Sequence, residues 1–600
     1  MARIRFAAGV LVGAAVLRLL AGPGLVNYDT LYTLVWGRQL AHGMQPDLDV
    51  AIAPTPHPLA NLAATLLSPL SSWQVGGLHG EPAATVVVAG AYVSLALLGW
   101  VLFALGREWF NAAAGALAAA IVLTRVPVLD FGARAYVDIP FLVLVLGALL
   151  VETRRPCSGG PVLGLLALAG LLRPEAWLFS AAYLLWLLWP GLRSAARHAG
   201  PQRAPAWRDA APLIVLAASA PLLWALHDLL LTGDPLHSLT GTRDNAALLG
   251  RVTGVEHVPT AVPRRLGEIL REPVLLAAAG GGLLALAWRR DRRVRLGAAA
   301  GLLAFAAFAV LAAAGLPIIT RYLLLTATLL AIFAGAGVFG WLDMDHGRER
   351  TWWARFAALA LVALVAFVPS QVHRIDRLGA ALATQETIQG ELGDLVAGEQ
   401  LRRPVAVPNR RPIPLLALWL ELDPRAIVDA QDGLPQRGSY LVPGTEQVAR
   451  DYILDRRDRD KRIPPPPKGW DLEQRNQAWR WYASPGRAFL SRVDQTSGVA
   501  LPHPFPARRR ARDPLRNAAD RRDRAGDRAG ADRRRHTHDH AMARAGAPAD
   551  AARELRRHAR QRPLAAHRRA LRHERRRQRH ERDGPVGDPR SGGPRGRHRG

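Results

Sequence analysis

Seven residues carry side chains suited to handling a proton or an anion, and each sits where apolar chain gives way to polar: Asp29, Tyr32, His57, Arg134, Asp138, Arg173 and Arg321. A carboxylate can take the proton of a hydroxyl nucleophile, and guanidinium groups hold phosphate through paired N–H donors. Asp29 is followed by Tyr32, Trp36 and Gln39 at helical spacing, then by Gly43 and "PTPHPL". The spacing predicts a helix lying in the membrane interface, aromatic face toward lipid and polar face toward a cavity. Asp29 also stands where a helix N-cap would stand, ahead of "TLYTLVWGRQLA". Arg134 and Asp138 are four residues apart, so one helical turn would set them side by side, as an ion pair or as a phosphate holder with its ordering acid. "LLRPEAWL" places Arg173, Pro174 and Glu175 between two apolar runs, with Pro174 starting the next helix. "PIITRYLLLT" again puts one arginine, Arg321, at a helix entrance. Any one of these arginines could simply anchor to lipid headgroups; the set suggests a polar cavity. Arg38, Asp47 and Asp49 read as solvated loop charges.

The elements that must position these residues are membrane helices. The chain has 600 residues, 50% of them hydrophobic, yet its mean hydropathy is only +0.05 because a polar last third dilutes an apolar front. About eleven apolar runs, at 5–22, 83–106, 110–124, 139–153, 161–173, 175–190, 211–231, 273–288, 296–316, 322–341 and 355–369, predict about eleven transmembrane helices. The fold class expected is therefore mainly α, a polytopic helical membrane protein with a small extracytoplasmic α/β or α+β C-terminal domain and a disordered tail. The expected domains are a transmembrane domain over 1–370 with its first outer loop at 23–82, an extracytoplasmic domain over 371–490, and a tail over 491–600. The run after Arg3 and Arg5 reads as an uncleaved first helix rather than a signal peptide, since Arg18 lies inside it and no small-x-small cleavage site ends it.

Arginine distribution orients the bundle. With the N-terminus inside, cytoplasmic connections collect Arg107, Arg154, Arg155, "LRSAARHAGPQRAPAWRD", "RRDRRVR", Arg348, Arg350 and Arg355. The same arrangement puts Asp29, His57, Arg134, Asp138, Arg173 and Arg321 on the outer face, in what the Ala- and Arg-rich, Lys-poor composition suggests is a bacterial plasma membrane.

Beyond 370 the chain alternates short apolar runs with Pro and Asp, as in "LRRPVAVPNRRPIPLLALWLELDPRAIVDA", which suits an α/β or α+β unit. "KRIPPPPKGW" reads as a stiff polyproline turn and "QRNQAWRWYASPG" as an edge strand with aromatics on the core. The net charge of +28 is concentrated at the end: residues 501–600 hold 30 Arg, no Lys and 12 acidic residues. From Ala507 on, no Phe, Trp, Tyr or Ile occurs, so no core can form there. The alphabet of that tail is also what a GC-rich gene gives out of frame, and a frameshift near 485–505 is the expectation; nucleic acid is not expected as a partner. The single cysteine, Cys157, excludes an intramolecular disulfide and a cysteine-based metal cluster. There is no phosphate-binding Gly loop, no zinc spacing and no nucleophile elbow.

An Asp after the first helix, a Tyr three residues on, "PTPHPL", then "ARAYVDIPF", "RPEAW" and "RYLLL" over about residues 1–345 together resemble the GT-C-type polytopic membrane glycosyltransferases related to protein O-mannosyltransferases and lipid A aminoarabinose transferases. The resemblance implies an enzyme that takes a sugar from a polyprenyl-phosphate donor and passes it, usually with inversion, to a cell-envelope glycan, lipid or protein acceptor. It implies Asp29 as general base, Asp138 as a second catalytic acid, Arg134, Arg173 and Arg321 around the donor phosphate, and Tyr32 and His57 near the substrate. Thr30 stands where many relatives have Glu, and His57-Pro58-Leu59 lacks one proline, so a divalent metal stays open as a cofactor and its ligands are unknown. The competing class is a transporter or lipid flippase, in which the same charges would line a path; the discriminating observation is sugar transfer itself.

Overall fold

The computed structural model describes residues 1–485 apart from 51, 190–206, 290, 455–457 and 459. The tail expected over 491–600, its frameshift origin and most of the polar connection at 192–209 lie outside the described residues. Met1–Leu490 form one compact unit.

The chain is a mainly helical, polytopic membrane protein. Every one of the eleven apolar runs is helical, but six helices are long and apolar enough to cross a membrane: Arg3–Ala21, Glu81–Trp109, Arg208–Thr232, Arg292–Ala313, Thr320–Asp343 and Arg348–Val396. Two bent pairs raise that to eight if each is one span. The rest of the expected eleven fall short of that length for two physical reasons. Three runs are short: Asp138–Arg154 has 17 residues, Glu175–Leu188 has 14 and Gly160–Gly170 has 11. At about 1.5 Å rise, eleven residues reach roughly half way across a ~30 Å hydrocarbon core. Two others, Ala112–Leu123 and Glu272–Arg289, each meet a flanking helix at a sharp bend, of 65° to Val126–Ala133 and of 108° to Val255–Leu270.

Small residues bring the central helices together. A Cβ on Gly337, in the helix Leu324–Phe339, would lie 2.4 Å from the Ala277 carbonyl, and one on Gly281, in Glu272–Leu284, would lie 2.2 Å from the Phe333 carbonyl. Lipid tails are as apolar as leucine, so helices in a bilayer associate through such close packing rather than through water exclusion. The helix Leu324–Phe339 is accordingly buried along nearly all its length, and Thr320, Arg321 and Tyr322 at its entrance are half-buried.

Arg348–Val396 is a single 49-residue helix that runs straight through residue 370. The chain then builds a five-stranded sheet in the order Ile427–Asp429, Val405–Val407, Ser439–Pro443, Trp479–Ala483, Asp471–Arg475. The first three strands are parallel, and Ile413–Trp419 is the helix between two of them. The last two add antiparallel. The α/β character matches the alternating pattern, but the strand read as an edge, Trp479–Ala483, is internal. Asp471–Arg475 is the exposed edge, and the aromatics Trp479 and Trp481 are buried as expected.

The sheet unit grips the first loop. Arg38 is buried and donates to the carbonyls of Ala417 (2.9 Å) and Leu418 (3.0 Å), the last turn of Ile413–Trp419, where a cation complements the unpaired carbonyls and the helix dipole. Asp47 is also buried and accepts from Arg425 at 2.6 Å. Arg38 and Asp47 are thus not solvated loop charges; Asp49, with its side chain 86% exposed, is.

Gly337→Val forces a branched side chain into the Ala277 carbonyl. Overpacking of this kind costs about 1–3 kcal/mol or more, so the variant is expected to lower the melting temperature in mild detergent, whereas Gly301→Val, at a position with open space, leaves it unchanged.

Candidate active site

The site is built around the start of the helix Tyr28–Ala41. Its N-cap is Asn27, whose side-chain oxygen accepts from the backbone N–H groups of Asp29 (2.8 Å) and Thr30 (3.1 Å). Asp29 is therefore relieved of the capping role the sequence allowed it, and its carboxylate is turned to a long-range partner: Arg321 Nη1 donates to Asp29 Oδ2 at 3.2 Å. The cap is itself anchored, because Asn27 Nδ2 donates to the Arg134 carbonyl (2.7 Å) and Thr30 Oγ1 to the Ala135 carbonyl (2.9 Å). Ala135 has φ +53°, a conformation costly for a residue with a Cβ and one that persists where surrounding contacts enforce it. That turn delivers Asp138 to the start of the next helix.

Asp138 is buried and pairs with Arg173, not with Arg134. Arg173 is buried too and also donates from Nε (3.0 Å) and Nη2 (2.6 Å) to Glu175 Oε1. Two carboxylates thus hold one guanidinium away from water. Removing either partner of such a buried pair costs about 3–5 kcal/mol. The Tyr322 ring lies between the two arginines, 4.7 Å from Arg173 Cζ and 5.8 Å from Arg321 Cζ, a cation–π arrangement that fixes both heads. Asp138 Oδ2, Glu175 Oε2 and Arg321 Nε are buried with no hydrogen-bond partner among the described residues. A cavity of about 10 Å³, lined by Asp138, Glu175, Arg321 and Tyr322, lies at their centre, room for about one water. A second cavity of about 380 Å³ lies among the helices Asp138–Arg154, Gly160–Gly170, Glu175–Leu188, Arg292–Ala313 and Leu324–Phe339, with Leu325 lining both; its walls are mostly apolar, with Glu152, Arg292 and Arg295 among the lining residues.

His57 joins this group from the "PTPHPL" turn, as N-cap residue of the helix Pro58–Leu66. Its ring meets Trp224 edge-on at 5.6 Å, and its Nδ1 is buried without a partner among the described residues. Burial, with the charges of Arg173 and Arg321 next, lowers its pKa to about 3, so the imidazole is neutral.

The structure therefore brings together Asp29, Asp138, His57, Arg173 and Arg321. It does not bring in the Arg134 guanidinium, which donates to Asp130 (2.7 Å) and to Gln385 (2.6 Å) of the long helix Arg348–Val396; the expected Arg134–Asp138 pair is replaced by one to Asp130 on the preceding turn. Tyr32 is fully buried beside Tyr28, Trp36 and Leu48. The aromatic face of its helix thus packs on protein, not on lipid. Missing from the sequence reading were Glu175 as a holder of Arg173, Tyr322 as the divider and Tyr136, which lies near Asp29 and Arg321. Glu175 was visible in "RPEAW"; nothing marked Tyr136 out.

Among the described residues no group of three or more His, Cys, Asp or Glu side chains could hold a metal ion, and the two candidate carboxylates are each engaged by a guanidinium. This donor set does not fit a divalent cation held by protein groups alone.

No protein-family model matches the chain, and no curated protein matches it in sequence. Among solved structures it is similar to ArnT from Cupriavidus metallidurans bound to undecaprenyl phosphate, with TM-score 0.44, 15% identity, and coverage of 80% of this chain and 97% of that one. It is also similar to the oligosaccharyltransferase AglB from Archaeoglobus fulgidus in complex with an inhibitory peptide and a dolichol-phosphate, with TM-score 0.42, 11% identity, and coverage of 73% and 69%. The apo form of the Archaeoglobus fulgidus oligosaccharyltransferase matches with TM-score 0.41 and 11% identity, the match covering 71% of this chain and 64% of that one. Likeness at TM-scores below 0.5 transfers neither a residue role nor a substrate.

The depressed His57 pKa has a testable sign. The unfolded chain binds a proton at this residue near pH 6.5 that the folded chain refuses until about pH 3, so its contribution to stability is lost as pH falls through that window. In detergent, wild type is expected to lose melting temperature from pH 6.5 to 4.5 more steeply than His57→Gln; parallel profiles would show that the imidazole is not held neutral.

Proposed function

We propose that this chain is an integral-membrane glycosyltransferase that moves a sugar from a polyprenyl-phosphate donor to a cell-envelope acceptor on the outer face of a bacterial plasma membrane. The observation that carries the reading is the half-buried Asp29–Arg321 pair near the buried Arg173, with a large, mostly apolar cavity reaching Leu325 beside them. A polyprenyl phosphate has an anionic head and an apolar tail, and the site offers guanidinium groups at one end and apolar walls along the rest. A soluble nucleotide-sugar would have no use for the second feature.

The residues divide the reaction as follows. The donor phosphate is met by Arg321, with Arg173 behind it, and His57 Nδ1 supplies a neutral polar contact. The bond between the anomeric carbon and the phosphate oxygen breaks with its electron pair leaving on phosphate, where the guanidinium charge is already aimed. The acceptor oxygen bonds to the anomeric carbon from the opposite face, and Asp29, released from Arg321 by the phosphate, takes the acceptor's proton. Asp138 and Glu175 keep Arg173 in place; Arg134 and Tyr32 hold the loops that carry the site. A flippase reading draws on the same cavity and differs in having no bond to break.

Membranes supplied with a radiolabelled polyprenyl-phosphate sugar test the proposal. Asp29→Asn is expected to lower kcat about 10²–10⁴-fold, the usual range for a lost general base, while its amount in the membrane stays normal. Unchanged transfer would remove Asp29 from the mechanism, and no transfer by wild type with any donor would favour the flippase. Arg321→Ala should raise the KM for donor more than that for acceptor; the reverse would contradict the phosphate assignment.

A further inference from the structure

Both broken helices are interrupted at an arginine, and the two breaks touch. Arg125 follows Ala112–Leu123 at the 65° bend, and Arg271 stands at the 108° bend between Val258–Leu270 and Glu272–Leu284. Arg125 Nη1 donates to the Leu270 carbonyl at 3.2 Å, which sets it against Arg271. A third helix closes the group: Gln371 of Arg348–Val396 donates to the Thr124 carbonyl at 2.6 Å, one turn before Arg374. Arg271 and Arg374 are the two charges that act on Arg125. Arg125, Arg271 and Arg374, from three elements, therefore lie near one another where the bent helices break.

Their own partners do not explain the gathering. Arg125 is more than nine-tenths buried, and its Nε, Nη1 and Nη2 donate to the Ile121 carbonyl, the Leu270 carbonyl and Thr124 Oγ1, all neutral. Among the described residues no carboxylate pairs with Arg125 or Arg374, and the one near Arg271, Glu272, is 3.9 Å away with its side chain 70% exposed. The Nε atoms of Arg271 and Arg374 are buried with no hydrogen-bond partner among the described residues. Arg271 reaches its place only by adopting φ +69°, outside the range a residue with a Cβ prefers. Like charges drawn together at low dielectric repel unless an anion lies among them.

We propose that Arg125, Arg271 and Arg374 form a phosphate-binding site separate from the Asp29–Arg321 centre. The helix Val126–Ala133 leads from Arg125 to the Ala133 and Arg134 carbonyls that hold Leu25 and Asn27, so its eight residues, about 12 Å of helix, separate the two places. The ligand is a phosphate oxyanion, which three guanidinium groups can share through forked donors. It is supplied either by the headgroup of an anionic phospholipid at the membrane surface or by free phosphate in water.

The full chain in phosphatidylcholine nanodiscs and in neutral detergent distinguishes these sources. Native mass spectrometry after exchange into mixed phosphatidylcholine–phosphatidylglycerol nanodiscs should show phosphatidylglycerol retained, and Arg271→Gln with Arg374→Gln should weaken retention roughly tenfold or more, as expected for two cations lost at a membrane surface. Retention lost with the pair, and no effect of inorganic phosphate on melting temperature, assigns the site to a lipid headgroup. A rise in melting temperature with millimolar inorganic phosphate or pyrophosphate, absent in the double variant, assigns it to the free anion. If wild type prefers neither phosphatidylglycerol nor phosphate, or if Arg374→Gln alone and the double variant bind as wild type does, the proposal is overturned. Asp29→Asn should bind as wild type, which separates this site from the reaction centre.

Discussion

The structure depends on how few charges are kept at its centre and how tightly they are matched. Asp138, Glu175 and Arg321 line a cavity with room for about one water, and Arg173 and Asp29 pair with these lining groups. Isolated charges there would cost several kcal/mol each, so every one is paired. Arg173 is locked by two carboxylates and screened by Tyr322; Arg321 has one, at a longer 3.2 Å. The looser pair is the one an incoming phosphate can displace. Exchange of Asp29 for phosphate on Arg321 would free a carboxylate at the moment the acceptor needs one.

That centre is positioned from both ends of one helix. At the start of Tyr28–Ala41, Asn27 caps the helix and ties it to the Arg134–Ala135 turn. At its end, Arg38 caps the carbonyls of the helix Ile413–Trp419. The sheet unit is thus part of what aims Asp29. Tyr28 lies near Asp29 on one side and Arg410 and Asp429 of the sheet unit on the other. Burial raises the pKa of Asp429 to about 6.

The site was legible in sequence to the extent that its charges interrupt apolar runs. Asp29, Asp138, Arg173 and Arg321 announce themselves because a charge at a membrane boundary needs a reason. Their pairing was not legible, since Asp29 and Arg321 are 292 residues apart and local spacing favoured Arg134 with Asp138. The face of Tyr32 and Trp36 was misassigned because an apolar stripe looks the same whether protein or lipid covers it. Helix existence followed from the apolar runs; span count did not, because three runs are short and two others end at sharp bends, at Arg125 and Arg271, just outside the run.

The central claim is that Asp29 and a phosphate compete for Arg321. Equilibrium binding of undecaprenyl phosphate, carrying no sugar, to wild type, Asp29→Asn, Arg321→Gln and the double variant in detergent tests it most directly. The account predicts tighter binding by Asp29→Asn than by wild type, weak binding by Arg321→Gln, and a double variant no better than Arg321→Gln alone. Weaker binding by Asp29→Asn, or the same gain with Arg321 already removed, would contradict it.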